Sequence, residues 1–443
     1  MKTSTAGRLL EFMTRLSDSC ISGAACSPSG PSVSWCAEVP EFARVFNNGG
    51  RLLKADGIVA FMETALMHCL HMRELCLSRG GDPDAGWDRI IAVHGKYRER
   101  IAGAKGFAGA EKLRLWLNQS GSARLICLVT HSCQLACSYC RVGKYPAEMS
   151  PEVLDRSVDF LFTSVRPEVQ LQFFGGEPLL RFELVRRGAE RALAAAKKTG
   201  KRLRLILTTN GLLLDEKKAG FLKRAGFTVE ISCDGTAASQ MAARGVSVGA
   251  RKTSLKVMEG LAAAKKLKLD YCVIMVVMPE RVGRLLEDFS YIAAAGHRRI
   301  QVNYALGVEW TGRQMLSFLR QLERIRRLAP GGASCVNFLK ERREPVVLNA
   351  ECTVDCDGFV LRETGVCLER DFLRMRERFA VGDLRSLGPI DRYFTTQFQN
   401  FELLAKAYSA ENQRLRGIIL NNIKFGRIME RWCGARSSLS LTR

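Results

Sequence analysis

The chain has 443 residues, 47% of them hydrophobic and 25% charged, with 67 basic and 45 acidic side chains giving a net charge of +22. That length allows two or three domains with a large core, and the composition excludes a disordered polymer. No apolar run approaches the ~18 residues of a membrane span, and the N-terminus has no clean signal-peptide core, so the expectation is a cytoplasmic protein.

Residues 1–120 lean helical and carry no catalytic motif. Loops are expected at "SGAACSPSGPSVS" (22–34) and "GGDPDAG" (80–86), and the region reads as a partner-docking extension or a cap. From 124 a rhythm begins in which short β-rich runs alternate with helical patterns. "RLICLVT", "VQLQFF", "RLRLILTT", "FTVEIS", "LDYCVIMVV" and "RRIQVNYA" are each followed by an amphipathic segment. Six such units imply parallel strands joined by right-handed crossovers, hence an α/β sheet or barrel over 121–329. In such folds chemistry gathers at the carboxyl ends of the strands. The unusual residues sit there: a cysteine trio after the first strand, "GGEP" (175–178) after the second, "TTNG" (208–211) after the third and "SCDG" (232–235) after the fourth. Beyond 330 the rhythm stops. A period-two pattern around Asp357-Gly358 predicts a hairpin, and helical pattern follows, so 330–443 is expected to be a separate, small α+β C-terminal domain.

Sixteen cysteines are scattered without a pairing pattern, which argues against a disulfide framework and makes most of them small buried hydrophobes. Cys133, Cys137 and Cys140 are different, because three thiols fall within eight residues as Cys-x3-Cys-x2-Cys. Thiolate is a soft ligand for zinc or iron–sulfur clusters. A structural zinc site closes its shell with four ligands, yet no fourth cysteine is near, and His131 is cramped against Cys133. Three thiolates can instead hold three irons of a [4Fe–4S] cube and leave one open, as a catalytic metal site requires.

"CQLACSYC", including the aromatic Tyr139 before the last cysteine, resembles the cluster motif of the radical S-adenosylmethionine (radical SAM) superfamily. The resemblance extends over about 124–310 and implies a partial (β/α)6 TIM-type barrel. It implies a [4Fe–4S] cluster on Cys133, Cys137 and Cys140, with the open iron chelating SAM. One-electron cleavage would then give methionine and a 5′-deoxyadenosyl radical that abstracts hydrogen from a substrate. By the same resemblance Gly175, Gly176, Glu177 and Pro178 form the SAM amino-binding motif, with Glu177 receiving the methionine ammonium. Asn210, Ser232 and Asp234 match positions that contact SAM or shape its pocket, and the segment of Tyr139 lies beside the adenine. The wording "FFGGEPLL", "LTTNGLLLDEKK" and "EISCDG" resembles the peptide- and protein-maturase branch, with Cys233 a departure from the usual leucine.

"TVDCDGFVLRE" followed by "FAVGDL" is similar to the region after the barrel in maturases of ribosomally made peptides, including His-Xaa-Ser-type systems and others with SPASM or Twitch domains. Of the late cysteines, Cys335, Cys352, Cys356, Cys367 and Cys433, no two form a Cys-x2-Cys pair. A cluster-free hairpin with buried thiols therefore competes with an auxiliary cluster on Cys352, Cys356, Cys367 and a fourth ligand. The implied partners are a peptide or protein substrate and an electron donor such as flavodoxin or ferredoxin. The charge of +22 raises RNA modification as an alternative. Basic runs such as "RRGAERALAAAKKTGKRLR" (186–204) read as solvated helix faces, however, and no RNA-recognition pattern of interleaved aromatics is present. A non-enzymatic metal-binding interaction module is the third reading. No catalytic acid or base is assigned.

Overall fold

A computed structural model describes residues 122–140, 142–245, 250–338, 351–362, 376–394, 400 and 413–437. The chain divides into two compact units, one of 1–120 with 395–405 and the other of 121–394 with 406–443. The expected helical extension over 1–120 lies outside the described residues, as do Cys367 and the loops at 22–34 and 80–86.

The second unit is built on one sheet whose central strands run in chain order. β1 (Ser122–Leu128), β2 (Glu168–Phe174), β3 (Arg202–Thr209), β4 (Phe227–Ser232), β5 (Asp270–Val277) and β6 (Arg299–Tyr304) pair in sequence, all parallel. The crossovers are α1 (Pro151–Phe162), α2 (Phe182–Thr199), α3 (Glu216–Arg224), α4 (Ala237–Arg244) with α5 (Ala250–Lys266), and α6 (Leu285–Ala294); α7 (Gly312–Leu328) follows β6. This is the partial (β/α)6 barrel. Local chemistry sets the helix starts: the Ser150 and Asp215 side chains cap α1 and α3, and a Thr311–Gln314 capping box opens α7.

Strand alternation divides the sheet into two unlike faces. Leu125, Cys127, Leu171, Phe173, Leu205, Leu207, Val229, Ile231, Val273, Met275, Ile300 and Val302 are buried in the main apolar core beneath the helices. The residues between them turn inward and include Arg124, Gln172, Thr208, Glu230, Gln301 and Asn303, a polar set on a face that structure alone would leave apolar.

The C-terminal segment differs from the expected separate domain, because its strands extend the same sheet. β7 (Ser334–Cys335) pairs with β6, and β8 (Cys352–Val354) pairs in parallel with β1. β9 (Phe359–Leu361) and β10 (Ala380–Asp383) then continue antiparallel beyond β8. The predicted hairpin is β8–β9, with Gly358 at φ +90° in its turn. The physical reason is edge pairing: β1 would otherwise leave its outer row of backbone groups open. α8 (Gln413–Ser437) also docks on this unit. Asn422 and Asn421 donate to the carbonyls of Val308 and Trp310 and accept from Gly307 and Trp310. Phe425 of α8 packs beside Tyr304, Trp310 and Phe318.

Residues 186–204 are carried largely by α2, where Arg186, Arg187 and Arg191 pair with Glu183, Asp155 and Asp159 at the surface. Among the described residues no helix is long and apolar enough to cross a membrane.

Arg166 and Asp391 form a buried ion pair at 3.3 Å that ties the turn before β2 to the C-terminal segment. Asp391 also accepts from Ser164 Oγ and the Val165 amide. Asp391→Ala strands a buried guanidinium and is expected to cost about 3–5 kcal/mol; the urea midpoint measures it, and Asp391→Asn should lose less.

Candidate active site

Cys133, Cys137 and Cys140 lie on the irregular loop that leaves β1. They are partly exposed, whereas Cys127, Cys233, Cys272, Cys335, Cys352 and Cys356 are buried. Among the described residues, the one group of three metal-capable side chains whose ligand atoms all lie within 4.8 Å of one another is His131, Asp355 and Cys356, and not the trio. A single zinc with Zn–S bonds of ~2.3 Å would bring its sulfurs within ~3.8 Å of one another. The three thiols are not all held that closely, and as soft donors on a loop whose sequence holds no fourth cysteine they fit a multi-iron cluster.

The loop has no regular structure, so other strand ends must hold it. The Gly176 amide donates to the Thr130 carbonyl at 2.7 Å and the Glu177 amide to that of Ser132 at 2.9 Å. This approach is so close that a Cβ on Gly176 would stand 2.2 Å from the Ser132 oxygen. Gly175, at φ +140°, would meet the Thr130 oxygen at 2.3 Å. Pro178 then starts a single 3-10 turn, Pro178–Arg181, capped by Glu177.

Glu177 is fully buried, and burial pushes its carboxyl up to about 6. Its Oε1 accepts from the Leu179 amide and Thr209 Oγ1, and its Oε2 from the Asn210 amide at 2.7 Å. The carboxylate thus joins the ends of β2 and β3. Asn210 sends its Nδ2 toward Cys133 Sγ at 3.8 Å and Gln134 Oε1 at 3.3 Å.

From the end of β4, Asp234 accepts from Tyr139 Oη at 2.7 Å and from the β5 amide of Val276 at 2.9 Å. Ser232 is half-buried on the inner face beside it. Arg244, 2% exposed, donates its Nε to the same Asp234 oxygen at 2.9 Å, while its Nη2 is buried without a hydrogen-bond partner. Burial raises the Cys137 thiol to about 11, and the Arg244 charge is the strongest influence pulling it back. The amide and hydroxyl of Ser138 both donate to the Ala243 carbonyl, so the carboxyl end of α4 is stitched to the loop.

A second clamp comes from the C-terminal hairpin. His131 is buried with Nδ1 2.7 Å from the Gly143 carbonyl and Nε2 2.7 Å from Asp355 Oδ1. Tyr145 stacks on its ring at 4.2 Å, and Arg376 pairs with the other Asp355 oxygen at 3.1 Å. Both ring nitrogens are therefore engaged away from the trio, and His131 is a clamp rather than its fourth ligand. The Cys356 thiol donates to the Leu128 carbonyl.

Gly175, Gly176, Glu177, Asn210 and Asp234 thus converge on the cysteine loop, whereas Pro178 and Ser232 stand beside these residues in the chain without a described contact to it. Sequence reasoning missed Arg244 and the Asp355–His131 clamp. A buried aspartate at 234 requires a cation, and Arg244, flanked by alanines and Gly245, was the signal for it. Cys352 and Cys356 are both buried in the β8 hairpin, and the proposed third auxiliary ligand, Cys367, is not described.

Asp355→Ala removes the anion between His131 and Arg376 and is expected to cost about 3 kcal/mol. Urea unfolding reads this loss, and iron retained per chain after anaerobic reconstitution should fall with it.

The family model of the radical SAM superfamily matches residues 127–290. GTP 3′,8-cyclase of Helicobacter pylori is 32% identical over 187 residues, covering 40% of this chain and 53% of that protein. PqqA peptide cyclase of Gluconobacter oxydans is 27% identical over 200 residues, covering 42% and 50%. The chain thus spans about half the length of these relatives. Native anSMEcpe with bound AdoMet superposes with a TM-score of 0.56 at 18% identity, over 72% of this chain and 98% of that one, and the same protein has been solved with AdoMet and a Kp18Cys peptide. With its parallel barrel and its three thiols at the end of β1, the chain carries a radical SAM domain at residues 127–290.

Proposed function

We propose that this protein is a radical SAM enzyme that modifies a peptide or protein. The observation that carries the reading is the convergence of four strand ends on a loop with three partly exposed thiols and no fourth cysteine in its own sequence. Cys133, Cys137 and Cys140 would hold a [4Fe–4S] cluster. When bound together, the cluster and SAM supply a 5′-deoxyadenosyl radical able to abstract hydrogen from an unactivated carbon.

The residues of this chain have definable tasks in that reading. Gly175 and Gly176 bring the exit of β2 against the cysteine loop, where backbone oxygens would be available to the methionine ammonium. Glu177 fixes Asn210 and supplies negative charge beside that amine, the role the sequence suggests for it, now through a carboxylate that already accepts three hydrogen bonds. Asn210 Nδ2 directs a weak donor at Cys133. Asp234 holds Tyr139 and Arg244, which fixes one wall of the pocket, and Ser232 lines it from the end of β4. Arg244 places a positive charge beside Cys137, favouring the thiolate that a metal requires. Reduction would come from a low-potential partner such as flavodoxin or ferredoxin.

The peptide assignment draws on the maturase wording of "FFGGEPLL" and "EISCDG". It also draws on the fold shared with a protein solved with a peptide, and on the relation to a peptide cyclase. The relation to a GTP cyclase keeps a nucleotide substrate as the competing reading.

The test is anaerobic incubation of reconstituted protein with dithionite and SAM. Formation of 5′-deoxyadenosine above a Cys133→Ala control is expected, and its absence contradicts the enzymatic reading. Glu177→Gln should retain the cluster, since its iron ligands are untouched, yet bind SAM more weakly by about tenfold, the loss of one charged contact.

A further inference from the structure

The inner face of the sheet carries a line of polar side chains that the reading above leaves without a task. Glu351, just before β8, pairs with Arg124 Nη1 at 2.7 Å, and Arg124 Nη2 donates to Gln172. Gln172 Nε2 donates to Thr208 Oγ1 at 2.8 Å, and Thr208 Oγ1 donates to Glu230 Oε2 at 2.6 Å. In the strand register Thr208 stands opposite Glu230. The line therefore crosses from β8's side of the sheet to β4 without a break.

Glu230 is where it ends. Its Oε2 receives Thr208 and, at 3.5 Å, Gln172. Among the described residues its Oε1 has no hydrogen-bond partner. A carboxylate on a half-buried sheet face costs free energy unless something answers it. Thr208 and Gln172 fix its direction but leave its charge unmatched. The Arg124 cation in the same line is already met by Glu351. Across the register Glu230 faces Cys272 on β5, and the inward residues beyond are Ile274, Gln301 and Asn303, all neutral. Arg204, also inward on β3, is exposed and lies four residues nearer the strand start, about 13 Å along the strand from Thr208.

Position matters as much as charge. Thr208 and Glu230 lie one inward step, about 6.6 Å, below Asn210 and Ser232 at the strand ends. A substrate reaching into the barrel past the SAM pocket would meet Glu230 Oε1 first among the fixed charges of this row. An unmatched carboxylate there favours an ammonium or guanidinium and disfavours phosphate or carboxylate groups.

We propose that Glu230, held by Thr208 and Gln172, is a substrate-anchoring residue that takes a cationic group of the peptide, the ammonium or guanidinium of a lysine or arginine. The inference rests on the peptide reading above and gives it a substrate class. It also favours that reading over polyanionic substrates such as GTP.

The test uses full-length, reconstituted protein saturated with SAM and three probes: fluorescein-labelled tetraarginine, labelled tetraalanine amide and GTP. The net charge of +22 opposes tetraarginine, so general attraction does not mimic the effect. Tetraarginine is expected to bind about tenfold more tightly than tetraalanine amide, and Glu230→Gln to abolish that advantage. Thr208→Val, which keeps the carboxylate but frees its direction, should lose part of it. Calorimetric SAM affinity should be unchanged in Glu230→Gln. Equal tetraarginine affinity in wild type and Glu230→Gln overturns the proposal. A parallel loss of SAM affinity overturns it too, since the free oxygen would then belong to the ribose hydroxyls. GTP binding more tightly than tetraarginine contradicts the charge argument. Formation of 5′-deoxyadenosine by the same Glu230→Gln sample separates the two levels: intact cleavage with indifferent probes removes Glu230 alone, whereas no cleavage even in wild type removes the underlying reading.

Discussion

A loop that carries three thiols but no secondary structure has to be held by its surroundings, and this requirement organises the rest of the site. Its backbone donors and acceptors find partners on neighbouring elements: Thr130 and Ser132 on the Gly176 and Glu177 amides, Ser138 on the carboxyl end of α4. Its side chains are fixed the same way, Tyr139 by Asp234 and His131 by Asp355. Each bond contributes modestly by itself, about 0.5–1.5 kcal/mol for neutral pairs and more for charged ones. They share one loop, however, so together they offset the entropy of ordering it. The result is a set of three soft ligands in fixed positions on a loop that has no fourth cysteine of its own.

The same requirement explains the two faces of the sheet. Helices cover the outer row of Leu, Val, Ile and Phe, and that burial supplies the stability on which a polar interior depends. The inner row then carries Arg124, Gln172, Thr208 and Glu230, whose hydrogen bonds keep their burial tolerable while leaving one carboxylate oxygen open. Charge is distributed unevenly. Arg244 stands by the thiols, Glu177 at the joined ends of β2 and β3, and Glu230 deeper in the barrel. Each favours a group of opposite sign at its own depth.

Much of this was legible in the sequence. The alternation of "FTVEIS" with amphipathic segments gives β4 to the residue, and the placement of Cys133, Glu177, Asn210 and Asp234 after successive strands anticipates their convergence. What escaped was short or long-range. α4, "AASQMAAR", is a short helix between "FTVEIS" and "TSLKVMEGLAAAKKL", a stretch to which the sequence reading gives no element, although it carries Arg244. The β8–β9 hairpin is legible as period-two alternation, but β1, the other partner of β8, lies more than two hundred positions away, so the C-terminal segment looked independent when it completes the sheet. His131 reads in the sequence as too cramped against Cys133 to share its metal, and nothing there says what it does instead. Only the fold brings Asp355 to it and shows that both ring nitrogens are occupied. The inward polar row was visible as period-two alternation, but strand patterning does not say which polar residues touch.

The most direct test of the central claim is Mössbauer spectroscopy of anaerobically iron-57-reconstituted protein, recorded before and after addition of SAM. A thiol set that grips three corners predicts about four irons per chain, with one iron site changing its isomer shift and quadrupole splitting when SAM is added. A spectrum that SAM leaves unaltered, or protein that takes up one zinc per chain in place of iron, would contradict the account.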